Sequence, residues 1–270
     1  MKLDNNNLLL EQAIRASIEA GFKVNEIYQQ DFEIAFKADE SPLTTADTAS
    51  HEIIMSYLAP LSIPVLSEEG RSMAYEERKK WEKLWIVDPL DGTKEFIKKN
   101  GEFTINIALI QNGAPILGVI YIPVEHSLYF ASKETDSVKV TDITDADLNA
   151  SVEELLKRGK KLPLSVSNKV YTIVGSKSHL TPETEEFIND LKKQHGEVEV
   201  LSRGSSLKIC MVAEGFADIY PRFAPTMEWD IAAGHAIAKF AGAKIVKADS
   251  KKDVIYNKED LLNPWFIVQR

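Results

Sequence analysis

Two aspartates three residues apart, Asp88 and Asp91, stand where a hydrophobic run meets a turn in Trp85-Ile-Val-Asp-Pro-Leu-Asp-Gly-Thr93. Leu84 to Val87 is aromatic and branched, which predicts a strand. An acid at a strand exit combines a fixed backbone with an exposed side chain. Pro89 stiffens the turn, and Gly92 permits a close approach or a positive φ. Thr93 opens a predicted helix, Thr93 to Lys99, whose N-terminal N–H groups and dipole attract phosphate. Metal-binding oxygens and a phosphate cradle thus share one short segment. The bland alternative is a turn with solvated acids. Asp-Gly alone favours it; the whole string after a buried strand does not.

Two other places offer acids in similar settings. Glu68-Glu69 follows the apolar pair Val65-Leu66, and Trp229-Asp230 precedes the almost uncharged run Ile231 to Ala238. By itself the first reads as an exposed acidic loop and Asp230 as a helix N-cap. Capping and metal binding use different oxygens, so both roles fit Asp230. Together these acids form an all-oxygen set that suits Mg²⁺ rather than Zn²⁺. Converging carboxylates repel one another unless cations neutralise them. Two ions about 3.5–4 Å apart would do so, while activating a water and steadying a leaving oxygen. The chemistry predicted is hydrolysis of a phosphomonoester, with its charge neutralised and a water held in line. Covalent-aspartate phosphatases of the haloacid dehalogenase type carry Asp-x-Asp-Gly-Thr instead. Two residues separate the acids here, out of phase for that route, so no phosphoenzyme is expected. The chain also has no Gly-x4-Gly-Lys-Ser/Thr loop, no His-Glu-x2-His and no Gly-x-Gly-x2-Gly.

The elements that must hold these acids are partly readable. Leu8 to Gly21 has apolar residues at helical spacing, with Gly21 as its stop. Phe32 to Phe36 alternates like a strand, Lys37 to Pro42 is a loop, and Thr44 or Thr45 caps a helix running to Leu58. Pro64 to Ser67 is a short strand, and Tyr75 to Lys83 a charged surface helix. Phe103–Ile110 and Ile116–Ile122 form a hairpin around Asn112-Gly113, which Ser127–Ser132 continues. Thr141 to Lys161 is polar and acidic, a candidate lobe boundary. Strands then follow at 171–174, 197–201, 217–220, 244–246 and 266–268. Helices fall at 181–195, 205–214 and 230–240. The expected organisation is an N-terminal α+β lobe, residues 1–150, with the metal motif, and a C-terminal α/β lobe, residues 151–270, with the last metal ligand.

Bulk properties narrow the function. The 270 residues suit one large domain or two lobes sharing a core. With 32 basic against 41 acidic residues the net charge is -9, which argues against sequence-independent nucleic-acid binding. The single cysteine, Cys210, excludes an internal disulfide and a thiolate metal site and fits a reducing, cytoplasmic setting; it reads as a buried small hydrophobe. No signal peptide or membrane span is expected. His51, His126, His195 and His235 have no constellation around them and read as structural or surface residues.

Asp88-Pro-Leu-Asp-Gly-Thr93 and Trp229-Asp-Ile-Ala-Ala-Gly234 resemble the two signatures of the inositol monophosphatase superfamily, lithium-sensitive Mg²⁺ phosphatases. The segments 37–47, Val65–Glu69, Asp88–Ile110, Gly204–Lys208, Tyr220–Asp230 and Leu262–Pro264 further resemble its bacterial CysQ branch of 3′(2′),5′-bisphosphate nucleotidases. The resemblance implies a layered αβαβα sandwich, mixing α+β and α/β, of the inositol monophosphatase and fructose-1,6-bisphosphatase type. It implies hydrolysis of adenosine 3′,5′-bisphosphate to AMP and phosphate with two or three Mg²⁺ ions. Glu68, Asp88, the Leu90 carbonyl, Asp91 and Asp230 would ligate metal. Thr93, with Glu68 or with Asp47, would orient and deprotonate the attacking water. The substrate would meet Glu68, Leu90, Asp91, Gly92, Thr93 and Asp230, with nucleotide contacts from His179, Gly204 and Lys208. Without the resemblance, His179 reads as a helix-flanking polar residue and Lys208 as a solvated helix face. A phosphatase of inositol or sugar phosphates is the competing enzyme reading. A monomer or homodimer, and a place in the cytoplasm or on the cytoplasmic face of the inner membrane, complete the expectations.

Overall fold

The computed structural model describes residues 5–36, 42–164, 170–175 and 181–270. Two helices lead, α1 (Asn5–Tyr28) and α2 (Thr45–Leu58), packed side by side. Gly21 does not stop α1. A Cβ there would sit 2.2 Å from the Tyr121 ring, so this glycine admits a neighbouring aromatic, and the helix continues to bury Val24. Thr44 caps α2. Its hydroxyl accepts from Ala46 N (3.2 Å), while Asp47 reaches back to the Thr44 N–H (2.7 Å), a capping box. Pro42, expected in a loop, instead starts β2 (Pro42–Thr44), which pairs antiparallel with β1 (Ile34–Phe36).

The first large sheet has seven strands. They are β3 (Val65–Ser67), β4 (Lys83–Asp91), β5 (Thr104–Gln111), β6 (Ala114–Ile122), β7 (Ser127–Ser132), β8 (Asp136–Val140) and β9 (Lys160–Lys161), side by side in chain order. Only β3 and β4 run parallel. Both faces are buried, so the strands read as nearly unbroken hydrophobic runs. Leu84 and Ile86 of β4 face one core, and Trp85 and Val87 face the other. The Asn112-Gly113 turn joins β5 to β6 as expected, with φ of 51° and 74°.

Two predicted helices are shorter than their polarity suggested. α3 covers only Tyr75–Arg78, because Arg78 is drawn inward to the Lys258 carbonyl (3.0 Å) and Asn257 Oδ1 (2.9 Å). α4 covers only Thr93–Ile97. Beyond it Lys99 turns to a φ of 57° and its ammonium caps the end of α1 at the Tyr28 and Gln30 carbonyls. The polar stretch Thr141–Lys161, expected as a lobe boundary, carries secondary structure of its own. A 3₁₀ turn (Asp145–Asn149), α5 (Val152–Arg158) and β9 lie there, and Val152 and Leu155 enter the core beneath α1. Its polarity is capping chemistry: Thr144 with Asp147, and Ser151 with Glu154.

The second sheet has the order β11-β10-β12-β14-β13. Its strands are β10 (Tyr171–Gly175), β11 (Val198–Ser202), β12 (Ile219–Arg222), β13 (Lys244–Lys247) and β14 (Phe266–Gln269). α6 (Pro182–His195) covers its outer face. α7 (Leu207–Glu214) and α8 (Glu228–Phe240) fill the space between the sheets. The layers are therefore α1/α2, first sheet, α7/α8, second sheet, α6: the expected αβαβα sandwich. Buried from Ile231 to Ala238, α8 lies between two sheets, which explains its lack of charge there. Among the described residues no helix is long and apolar enough to cross a membrane.

Candidate active site and metal centre

The three acid-bearing segments meet at one end of the first sheet. β3 and β4 run parallel with Ser67 beside Val87, so the next residues, Glu68 just past the end of β3 and Asp88 within β4, come side by side. The Glu68 N–H donates to the Val87 carbonyl at 3.1 Å. Asp230 arrives from the first turn of α8. It is the third residue of the helix rather than its N-cap, and its Oδ2 accepts the Met227 N–H at 2.8 Å. One carboxylate oxygen from each of Glu68, Asp88 and Asp230 lies within 4.8 Å of the other two.

The Asp88–Asp91 spacing has a structural cause. In a regular strand, residues three apart point to opposite faces. Asp88 pairs with Asn106 and Asp91 with Thr104, so β4 carries one extra residue in between, a bulge at Pro89-Leu90. Leu90 turns into the core beneath α1 and α2, and Asp91 comes round to the side of Asp88. Proline fits the bulge because its missing N–H leaves no ladder partner unpaired.

Asp91 is held from the far side of the cleft. Its Oδ2 accepts from the Ser205 hydroxyl (2.6 Å), the Ser206 hydroxyl (2.7 Å) and the Ser206 N–H (2.8 Å). Asn106 Nδ2 stands 3.3 Å away and also donates to Ser206 Oγ at 2.7 Å. Behind Asp91 the chain turns at Gly92, with a φ of 98° that favours glycine. Gly204 is the other tight point. Its N–H donates to Glu102 Oε2 (2.8 Å), and a Cβ there would lie 2.9 Å from the Glu102 carbonyl.

Thr93 donates to Asp47 Oδ1 at 3.0 Å, and its Oγ1 also lies 3.3 Å from the Leu90 carbonyl. The capping box occupies the other Asp47 oxygen, so the α2 N-terminus orients the carboxylate that faces Thr93. Lys208 is buried rather than a solvated helix face. Its Nζ donates to the carbonyls of Ser205 (2.7 Å) and Arg203 (3.2 Å), and burial lowers its pKa to about 8. Asp91, Gly204, Ser206, Lys208, Arg222 and Asp230 line one cavity of about 150 Å³. His179, with the rest of Ser176 to His179, lies outside the described residues.

Electrostatics tests whether these residues fit a divalent cation. Asp88 is almost fully buried, and burial, then the charges of Glu68, Asp91 and Asp230, push its carboxyl well above the ordinary carboxylate range. Burial, then Asp91, raises Asp230 to about 8. Hard oxygen donors that resist ionising together are a suitable set for Mg²⁺. A stability effect follows. Unfolded, Asp230 ionises near its ordinary 3.8; folded without metal, it stays protonated up to about 8. Its contribution to stability is complete below the lower value and lost as pH rises through the higher one. In chelator the melting temperature is therefore expected to fall between about pH 5 and about pH 8.5, and Mg²⁺ should cancel that fall. A flat profile in chelator, measured by calorimetry, would contradict the clustering of these acids.

A model of the inositol monophosphatase family matches residues 5–268. The chain belongs to the inositol monophosphatase family. A relative from Salmonella typhimurium, 3′(2′),5′-bisphosphate nucleotidase CysQ, is 43% identical over 96% of this chain and 99% of its own length. CysQ from Haemophilus influenzae is 30% identical over 97% of this chain and 93% of its own. The crystal structure of CysQ from Bacteroides thetaiotaomicron superposes with a TM-score of 0.91 at 52% identity, covering 98% of both chains. Its description as a bacterial member of the inositol monophosphatase family agrees with the layered fold. Enzymes of this family depend on metal, and the Glu68, Asp88 and Asp230 cluster fits that dependence.

Residue-type reasoning missed Ser205, Ser206, Asn106 and Arg222. Asn106 carried a signal: with Thr104 it is a polar residue in a strand that is otherwise apolar up to Ile110. Among the histidines, His195 stacks on Tyr171 and His235 is buried against the Tyr256 hydroxyl, so these two are structural. His51 is different. It does have a partner near the site, Ser67 Oγ at 2.9 Å.

Proposed function

We propose that the chain is a Mg²⁺-dependent 3′(2′),5′-bisphosphate nucleotidase that converts adenosine 3′,5′-bisphosphate to AMP and phosphate. The observation that carries this reading is full-length similarity to CysQ proteins together with the intact acid cage. Glu68, Asp88, the Leu90 carbonyl, Asp91 and Asp230 would hold two Mg²⁺ ions. Bound there, the ions neutralise phosphate charge and make a water more acidic. Thr93, donating to Asp47, keeps its lone pairs free to accept a proton from that water and hold it in line. The water oxygen bonds to the 3′-phosphorus and its proton passes through the Thr93 hydroxyl to Asp47, while the P–O3′ bond breaks and the ribose oxygen leaves as a hydroxyl after taking a proton from a solvent water. No aspartyl phosphate forms.

Arg222 is the candidate clamp for the second phosphate. It lines the cavity, its Nε finds no partner among the described residues, and one Nη donates to the Pro225 carbonyl at 3.1 Å. A guanidinium fork suits a phosphate. Arg222→Ala should raise KM for the bisphosphate by about ten- to a hundred-fold, the loss of a charged hydrogen bond. KM for a 3′-monophosphate should change little; equal losses for both would remove Arg222 from that role. The broader test is phosphate release with Mg²⁺ from adenosine 3′,5′-bisphosphate, its phosphosulfate analogue, inositol 1-phosphate and fructose 1,6-bisphosphate. The bisphosphate should be preferred and lithium should inhibit. Good hydrolysis of inositol 1-phosphate with the bisphosphate untouched would overturn the assignment.

A further inference from the structure

α2 stands behind the acid cage, on the opposite side of the first sheet from α7 and α8. Alternation along β3 sends Leu66 and Glu68 toward the cleft side and Ser67 toward α2; along β4 it sends Asp88 to the cleft and Val87 to α2. Each cleft-facing acid of these two strands thus follows a residue that faces α2. Three residues of α2 lie on one helix face at i, i+3 and i+4 spacing: Asp47, Ser50 and His51. Each contacts a different part of the site.

Asp47 meets Thr93. Ser50, fully buried, donates to the Pro89 carbonyl at 2.6 Å. Pro89 and Leu90 have no register partner on β5, so this hydrogen bond serves a carbonyl at the bulge that brings Asp88 and Asp91 to one face. His51 Nδ1 lies 2.9 Å from Ser67 Oγ, the residue before Glu68. β3 is three residues long, lies at the sheet edge and pairs only with β4. The Glu68 N–H to the Val87 carbonyl fixes the backbone at that end, and His51 adds a hold on the Ser67 side chain.

We infer that the first two turns of α2 are a template for the metal cage, in which Ser50 and His51 are positioning residues that set the β4 bulge and the end of β3 at the spacing a cation requires. The inference rests on the metal-binding reading of Glu68, Asp88 and Asp91. Ser50 meets the Pro89 carbonyl and His51 the Ser67 hydroxyl, groups that stand beside cage carboxylates. Each holds the backbone or side chain next to one, which is how groups outside the ligand set tune a metal site.

His51 allows a clean test. It is half-buried and borders a groove of about 510 Å³, so substitutions can be accommodated. Mg²⁺ alone is titrated by calorimetry into the chelator-treated full chain, beside melting temperature and steady-state kinetics. His51→Leu removes the bond to Ser67 and should weaken Mg²⁺ binding by on the order of ten-fold. The Mg²⁺ concentration giving half-maximal activity should rise by the same factor, with KM for the bisphosphate unchanged at saturating Mg²⁺. His51→Asn, whose amide can occupy the place of Nδ1, should restore binding to within about two-fold of the wild type. A His51→Leu protein with a lowered melting temperature but wild-type Mg²⁺ affinity would overturn the inference and make His51 merely structural. A wild-type chain that binds no Mg²⁺ would overturn the metal reading itself, so the two failures are distinguishable.

Discussion

Asp88→Asn and Asp91→Asn should each lower turnover by roughly 10³-fold or more, yet move stability in opposite directions. Loss of a metal ligand removes several kcal/mol of transition-state stabilisation, and every 1.36 kcal/mol is a factor of ten. The stability effects differ because the two side chains have different surroundings. Asp88 is buried among Glu68, Asp91 and Asp230, and it accepts the Leu90 N–H at 3.0 Å, a bond that an amide oxygen can still accept. In chelator at about pH 8, Asp88→Asn should melt no lower than the wild type, and its decline with pH should be shallower. Added Mg²⁺ should no longer stabilise it. Asp91 instead gathers the Ser205 hydroxyl and both Ser206 donors across the cleft. Its replacement weakens hydrogen bonds to a charged acceptor and should cost about 1.5–3 kcal/mol. Melting curves with and without Mg²⁺, beside turnover, check both. Near-normal activity in Asp91→Asn would confine the cage to Glu68, Asp88 and Asp230.

The second large effect concerns the water. Thr93→Ala should reduce turnover by about 10²–10⁴-fold, the range of a positioned proton acceptor, with KM and Mg²⁺ affinity little changed. Asp47→Asn should give a similar loss, because its Oδ1 orients the Thr93 hydroxyl at 3.0 Å. The double variant should be no worse than the poorer single one, since groups that act as a unit are not additive. Thr93→Ser should keep much of the activity. Additive losses would mean that Asp47 acts apart from Thr93, and Glu68 would then be the better partner for the water.

Much of this site was readable before the fold. Asp88, Asp91 and Glu68 stand at the end of an apolar run and Asp230 at the start of one, and such runs become strands or helices through local preference. Asp47 and Thr93 came from the resemblance, and the structure brings them into contact. Other features depend on what lies across a gap. Gly21 looks like a helix stop in one dimension, yet its missing side chain accommodates Tyr121, a hundred residues later by number. Lys208 has the pattern of an exposed helical residue, but the loop before its helix folds back to present two carbonyls to its ammonium. His51 lacked neighbours of a chemical kind in sequence and gains one only when β3 lies alongside α2.

A set of carboxylate oxygens suited to a hard cation is displayed directly by residue types and short spacings in the sequence. The tertiary structure decided which of those oxygens share a point in space. A bulge of one residue turns Asp91 to the face of Asp88, and a helix from the other half of the chain supplies Asp230. Spacing along a chain sets which groups exist near a strand end. Only the packing of sheets and helices sets the distances, and for like charges those distances decide whether a cation is needed.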